Sequence, residues 1–470
     1  MKSPAMFTRT TLCLATLGLA SCAVGPDYKK PDNTDVTPAQ WRWQPASPRD
    51  HLPRGEWWKV FKDDELNRLQ SLALQSSPSL TAALARVDQA RAAARISAAA
   101  LAPDVRLNGD AKRERTSGNL PSPVPVSIPA AHINSFSTLI DLSYEVDLWG
   151  KVRREIESAT ATAAAADANY HSAILTLTGD VAAQYFLLRS YDAEVSALRR
   201  TIGLREKWRN LLEEKLNAGT VPETDFARAQ TEVATARAEL ADVKRLRQEA
   251  SDLLALLCGQ PSSNFNIAER PIGAKAPPSI PADVPASMLE RRPDVAAAER
   301  QVAASNADIG VAKAAYFPTV RLTGTGGYLS SDVNTLFTAN SSIWSIGPSV
   351  SLPLTGWAVI GFNVKRQTAA REEAIANYRQ SVLNAIHDVE TSLTQIRYRA
   401  EQAAAVGDAL ASATKATDLI RASYERGTIS YLELLDAERT RLQAELQTAR
   451  IAAQRHLATV RLIKALGGGW

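Results

Sequence analysis

Two segments of the sequence are too long and too regular to be helices of one compact domain. Residues 155–218 contain no proline. Their apolar residues recur at spacings of three, four and seven, a heptad-like stripe typical of helices that pack along one another. About sixty helical residues extend roughly 95 Å at 1.5 Å per residue, and residues 366–426 repeat this length. The sequence therefore predicts an elongated protein built on long, coiled-coil-like helices.

These segments belong to two halves of similar design. Residues 78–83 (PSLTAA) recur as 293–298 (PDVAAA), and residues 103–107 (PDVRL) recur 215 positions later as 318–322 (PTVRL). The turn sequence GTV at 219–221 recurs as GTI at 427–429. Each half is predicted to run helix, strand, strand, long helix, turn, helix. We expect five segments: an export signal at residues 1–21, an N-terminal segment at 22–60, a first repeat at 61–260, a Pro-rich connector at 261–292 and a second repeat at 293–470.

The N-terminus has the pattern of a lipoprotein signal. Lys2 and Arg9 precede an apolar run at residues 11–20, which is too short to span a bilayer. The run ends in LASC, and this motif resembles a lipobox whose Cys22 becomes the acylated first residue. An ordinary signal peptide with an incidental cysteine is the alternative. Ala23 stands where an Asp favours retention in the inner membrane, so the outer membrane is the expected location.

Two short segments alternate like strands that have one apolar face. In residues 140–148, apolar side chains alternate with Asp, Ser and Glu, and residues 344–354 repeat the pattern. Each segment is long enough for a membrane-spanning strand of about 10 residues and has a second strand upstream, near 105–115 and 320–329. The connecting loops are long and polar. Four strands cannot close a barrel, but three chains would supply twelve, and the smallest barrels need about eight.

Five longer motifs run along the rest of the sequence. They are Cys22 with GPDYKKP at 25–31, YEVDLWGK at 144–151, LERRPD at 289–294, GTISYLELLDAER at 427–439 and KALGGGW at 464–470. Together they resemble the outer membrane factor family, the TolC-like ducts, and within it the OprM-like, NodT-type lipoproteins of RND efflux.

The resemblance implies an α+β membrane protein. Each chain would contribute four transmembrane β-strands to a shared twelve-stranded trimeric barrel, continuous with a long α-helical periplasmic barrel and a mixed region at mid-height. The implied partners are two further copies of the chain, outer-membrane lipid, a periplasmic adaptor (membrane fusion) protein and an inner-membrane RND-type pump.

The two helix-to-helix turns are expected to form a periplasmic tip. The tip residues are Gly219, Thr220, Asp225, Gly427 and Thr428, since glycine permits the left-handed turn that ends each long helix.

A gate is expected just after the second turn. Leu432, Asp436 and Arg439 follow at i, i+4 and i+7, so they share one helix face, and by resemblance that face lines a constriction. We expect Arg439 to pair with Asp436, or with Glu223 and Asp225 of the first turn. An ordinary surface ion pair is the alternative.

Nothing in the sequence indicates catalysis or a cofactor. The five histidines are scattered, and no metal-binding or nucleophile motif occurs. A net charge of +4 gives no reason to expect nucleic acid as a partner. We therefore expect a passive outer-membrane exit duct for small molecules, which is not an enzyme and needs no cofactor or metal. A duct for type I protein secretion and a structural coiled-coil lipoprotein are the alternatives.

Overall fold

The computed structural model describes residues 23–32, 35, 37–38, 40–42, 55–117, 130–273, 276–280 and 291–468. The predicted lipidation site, Cys22, therefore lies outside the described residues, as does most of the loop after the first strand. The helices are α1 (Asp64–Ser76), α2 (Pro78–Ala99), α3 (Lys151–Asn217), α4 (Glu223–Leu257), α5 (Pro293–Ala314), α6 (Trp357–Glu425) and α7 (Tyr431–Ala465). The strands are β1 (Asp104–Arg115), β2 (His132–Val146), β3 (Thr319–Ser330) and β4 (Ser342–Ser351).

The elements of the two halves of the chain follow the same order and have similar lengths. Helix α2, strands β1 and β2, and helices α3 and α4 are followed by the same series in α5, β3, β4, α6 and α7. The long helices α3 and α6 have 67 and 69 residues, and α4 and α7 have 35 each. Within the described part of the chain, no helix combines the length and the hydropathy needed to cross a membrane.

The four strands form one antiparallel sheet in the order β1-β2-β3-β4. This confirms the predicted α+β class and the four strands of one chain. The prediction placed the ends of the second and fourth strands at residues 148 and 354, which are two and three residues too far, since β2 ends at Val146 and β4 at Ser351. Strand β4 ends where its partner β3 begins, at Thr319. Asp147 leaves the ladder because its carboxylate accepts hydrogen bonds from the backbone N–H groups of Val152 and Arg153, at 3.0 and 3.1 Å, and so begins α3.

The sheet has one apolar and one polar face. The register aligns Leu107 of β1 with Ile140 of β2, and Gly326 of β3 with Trp344 of β4, on the apolar face. The polar face is held by side-chain bonds across the strands. Asp141 accepts from Asn108 at 2.6 Å and from Thr325 at 2.7 Å.

The described chain divides into two compact units. The first contains the described residues of 23–31, 87–166 and 298–377, and so includes the whole sheet. The second contains residues 32–86, 167–297 and 378–470.

In the first unit, the segment that follows Cys22 is bound to the start of α3 and to α5. The N–H of Val24 donates to the carbonyl oxygen of Trp149 at 2.9 Å. Arg154 bonds Asp27 at 2.7 Å, and Tyr28 donates to Glu299 at 2.8 Å. Gly25 has φ +112° and lies so close to Gly310 that a Cβ would collide with that residue's backbone. The GPDY motif is therefore a segment that docks on α3 and α5.

The second unit has an apolar core that covers α1. Leu66, Leu69 and Ala73 of α1 are fully buried against Val181, Tyr185 and Leu188 of α3. Trp57 and Trp58 close one side of this cluster. Asp63 begins α1 by accepting from the N–H groups of Glu65 and Leu66, both at 3.1 Å.

A buried charged cluster attaches the Pro-rich connector to this unit. The Asp192 carboxylate is inaccessible to solvent and contacts Arg189 at 2.8 Å and Arg247 at 2.6 Å. It also accepts from the backbone N–H of Arg270 at 2.9 Å. The two arginines in turn donate to the carbonyl oxygens of Ala268 and Ile267, at 2.7 and 2.8 Å. The connector backbone is thus held by charged groups that would be costly to bury alone.

His456 lies in an aromatic site of the same unit. Its ring is 4.6 Å from that of Phe186 and 6.1 Å from that of Phe61, and Nδ1 lies 2.9 Å from the carbonyl oxygen of Ala452. Burial lowers the pKa of this imidazole, and the nearby Arg455 adds to that effect, against opposite contributions from Ala452 and Asp63.

We predict that His456 makes the protein less stable in mild acid. The pKa of His456 is lower in the folded than in the unfolded chain. Its contribution to the free energy of unfolding is therefore fully present above the unfolded-state pKa and is lost as pH falls through the folded-state pKa. The midpoint of thermal unfolding, followed by circular dichroism, should fall by several degrees more between pH 7.5 and 5 in wild type than in His456→Gln. The exposed His387 provides the control, His387→Gln, which should behave like wild type. Parallel pH curves for wild type and His456→Gln would contradict the prediction.

Candidate functional site

The two turns after the long helices are built alike. Gly219 and Gly427 have φ +71° and +77°, the left-handed conformation that favours glycine. Thr220 donates both its backbone N–H and its hydroxyl to the carbonyl oxygen of Lys215, each at 2.9 Å. Thr428 does the same to Ser423, at 3.1 and 2.9 Å. Each turn therefore closes its helix with a bond across five residues, as in a Schellman motif.

An apolar cluster joins the helices next to the turns. Its buried members come from α3, α4, α6 and α7: Leu212, Ala229, Tyr424, Tyr431, Leu434 and Leu435. Burial raises the pKa of Tyr431 to about 12, so its hydroxyl stays neutral at physiological pH. Helix α7 thus buries one face at this end of the unit.

The three predicted gate residues lie on a second face of α7, beside the buried one. Leu432 is 52% exposed, and Asp436 and Arg439 are also exposed. Asp436 lies at the rim of a cleft of 280 Å³ between α6 and α7. All three side chains are thus accessible, but Asp436 lines the cleft on the α6 side of α7, whereas Arg439 lines a different cleft beside α3 and α4.

The partner of Arg439 differs from the prediction. Neither Asp436 nor the first-turn residues Glu223 and Asp225 pair with it; Arg439 donates to Glu232 of α4 instead. The predicted partner Asp225 is engaged by Arg228, at 3.6 Å. The Glu232 bond is the main cause that raises the pKa of Arg439, and the charge of Asp436 adds to it.

Glu232 is a buried carboxylate that three helices share. Its side chain is 6% exposed and contacts Arg205 of α3 at 3.1 Å as well as Arg439 of α7. The neighbouring Glu438 is 8% exposed and contacts Arg421 of α6 at 2.6 Å and Arg441 at 3.0 Å. Glu438 thus connects α7 to α6, its neighbour in the second helical hairpin, and Arg439 connects it to α4 of the first hairpin.

Sequence reasoning missed Glu232 and Glu438, although a signal existed. Glu232 lies on the stripe of buried residues in α4, next to Val233 and between Ala229 and Ala236. A charged residue on an apolar stripe indicates a buried partner. The partner itself could not be read from the sequence, because Arg205 and Arg439 are distant in the chain.

A larger cleft opens beside Glu232. It has a volume of 820 Å³ and lies between α3, α4 and α7. Glu194, Arg205 and Arg439 are among the charged residues that line it. Across the described ranges, no group of three or more His, Cys, Asp or Glu side chains is arranged to hold a metal ion.

Comparison with known proteins identifies this architecture. The profile of the outer membrane efflux protein family matches residues 69–260 and 284–468. The chain belongs to the outer membrane efflux protein family. Its location is therefore the outer membrane, and its function is efflux through a channel there.

Relatives match along the whole chain. The pyoverdine export outer membrane protein OpmQ of Pseudomonas aeruginosa is 32% identical over 464 residues, 98% of this chain and 96% of OpmQ. The solved outer-membrane channel OprN has a TM-score of 0.87 at 29% identity and covers 96% of this chain and 100% of its own. The open state of the MtrE outer membrane channel of Neisseria gonorrhoeae has a TM-score of 0.84 at 27% identity, with coverage of 95% and 98%.

Proposed function

We propose that three copies of the chain form one exit duct whose barrel has twelve strands. The four-stranded sheet carries this proposal. Strands β1 and β4 lie at its two ends, and no further strand of the described residues pairs with them. In lipid, each unsatisfied backbone group costs several kcal/mol, so both edges need partners. Pairing β1 of one copy with β4 of the next satisfies all of them, and three copies of four strands give twelve.

The duct conducts small molecules passively between two other components. A periplasmic adaptor delivers substrate from an inner-membrane pump of the RND type, and the duct completes the path to the exterior. The name of OpmQ supports the substrate class, because pyoverdine is a small molecule. The chain performs no catalysis in this account and needs no cofactor.

The division into a lipid-anchored segment at 22–60, repeats at 61–260 and 293–470 and a connector at 261–292 is part of the same proposal. The matching order of elements in the two halves supports it. Each repeat supplies two strands to the barrel, and its first helix and long helical hairpin to the periplasmic part.

Cys22 is the acylated N-terminus of the mature chain in this account. The lipobox supports it, and so does the docked segment that follows. Val24 bonds Trp149, between the end of β2 and the start of α3. An acyl chain on Cys22 would therefore enter the leaflet on the helix side of the sheet, where it adds to the anchoring by the strands.

The acylation proposal predicts that Cys22→Ser abolishes the incorporation of radioactive palmitate. Cys258→Ser is the matched control, since Cys258 is fully buried against the carbonyl oxygen of Leu69 and cannot be acylated in the folded chain. Both variants should still reach the outer membrane, because the strands insert without the anchor. Label retained at the wild-type level in Cys22→Ser would show that acylation occurs elsewhere.

The tip of the duct is closed at rest by the exposed face of α7. Threefold symmetry would arrange Leu432 as an apolar ring and Asp436 as an acidic ring, and an acidic ring favours cations over anions. The bond from Arg439 to Glu232 would hold α7 against the first hairpin. Crystallisation of MtrE in an open state supports a duct that opens and closes in this family.

We predict that Asp436→Ala combined with Arg439→Ala raises the low resting conductance of single channels in planar bilayers and weakens cation selectivity. Arg439→Ala alone should raise conductance, because α7 loses its link to Glu232, and Asp436→Ala alone should mainly change selectivity. Glu213→Ala, which removes an exposed carboxylate of α3 in the same region, should leave both unchanged. If the double variant forms trimers but keeps wild-type conductance and selectivity, the gate lies elsewhere.

A further inference from the structure

The apolar face of the sheet ends in two arginines. Strand β1 alternates, so Arg113 and Arg115 lie on the same face as Val105, Leu107 and Ala111. They are at the loop end of the strand, away from the helices. In the register, Arg113 faces Asn134 and Arg115 faces His132. This face therefore changes from apolar to basic along its length.

Neither arginine has an ionic partner among the described residues. On the opposite face of the same strand, charges are paired: Arg106 contacts Asp104 at 2.7 Å, and Lys112 contacts Glu114 at 3.0 Å. The two faces of β1 are similarly exposed, so exposure alone does not explain why only one of them has paired charges. The unpaired guanidinium groups are thus confined to the face that carries the apolar side chains.

The neighbouring loops do not supply a carboxylate. Residues 116–131 contain no Asp or Glu. Residues 331–341 contain one acid, Asp332, whose carboxylate accepts from the N–H of Asn334 at 2.9 Å. In the proposed trimer, β1 pairs with β4 of the next copy, and the residues of β4 on this face are Ser342, Trp344, Ile346, Pro348 and Val350. A second copy therefore brings no acid to this face by strand pairing.

The position of the arginines fits the outer boundary of a membrane. Arg113 lies eight residues beyond Val105, about 27 Å along a strand at about 3.4 Å per residue. At a tilt of about 40°, this is roughly 21 Å along the membrane normal, and Arg115 is at roughly 26 Å. The apolar band of such barrels is about 25 Å tall and is bordered by aromatic rings. Phe136 of β2 lies on this face too, opposite Ala111, which is the residue that precedes Arg113 on the same face of β1.

We propose that Arg113 and Arg115 bind the phosphate groups of lipid A, the anionic glycolipid of the outer leaflet. The inference rests on the proposed barrel, which turns this face toward lipid. Guanidinium groups bind phosphate oxygens in a bidentate manner and are more weakly hydrated than ammonium groups, which suits a site at the membrane surface. Asn134 and His132 provide further donors beside the arginines. The trimer would carry three such sites.

The test compares two double variants of the full-length chain that lose the same charge from the same strand. One is Arg113→Gln with Arg115→Gln, on the apolar face, and the control is Arg106→Gln with Lys112→Gln, on the polar face. Trimers are extracted from outer membranes in mild detergent, and the bound lipid A is counted by native mass spectrometry. We expect the first variant to lose lipid A by at least about tenfold, while the control keeps the wild-type amount.

A second measurement uses wild type only, with lipid A added to delipidated trimers. Dephosphorylated lipid A should bind at least about tenfold more weakly, and inorganic phosphate alone should not displace the intact glycolipid. Equal binding of the two lipids, or an equal amount of lipid A in all variants, would overturn the proposal, as would an equal loss in both variants. If wild type is not a trimer of the outer membrane, the proposed duct fails instead, which the same spectra show.

Discussion

Backbone hydrogen bonding at the two ends of the sheet is the constraint on which the rest of this protein depends. One chain builds four antiparallel strands, but among the described residues it has no strand to pair with the outer edge of β1 or of β4. Lipid offers no hydrogen bonds to these edges. In the proposed duct, these partners come from other copies of the chain. In that duct, the repeated order of helices and strands gives each copy two equivalent hairpins to contribute.

The helical part is stabilised by charged groups as well as apolar packing. Asp192, Glu232 and Glu438 are carboxylates buried between long helices, and each contacts two arginines. Removing one partner of a fully buried pair such as Arg189 and Asp192 costs about 3–5 kcal/mol, whereas an apolar replacement of the whole group can be neutral. These clusters therefore fix which helices lie together more than they add stability. Around Asp192 they hold the connector. Around Glu232 and Glu438 they link α7 to two hairpins through bonds that can be exchanged for contacts with water.

The sequence predicted local and periodic features well and distant contacts poorly. Alternation in β2 and β4, the proline-free run of α3 and the glycine turns each depend on residues close in the chain, and the structure contains all of them. The end of β2 was misplaced because Asp147 continues the alternation and yet caps α3. The partner of Arg439 was wrong because nearby carboxylates were considered first, while Glu232 is 207 residues away. Docking of residues 24–28 on α3 and α5 likewise depends on contacts that no spacing indicates.

The number of chains in the detergent-solubilised particle is the most direct test of the proposed duct, because its barrel needs the four strands of each chain to be completed by other copies. Full-length protein extracted from the outer membrane should be measured by native mass spectrometry, with light scattering corrected for bound detergent as an independent check. The account predicts a mass of three chains, about three times 50.8 kDa before acylation and signal removal are considered. A folded monomer that retains its strands in detergent would contradict it, since the four-stranded sheet would then be complete without partners.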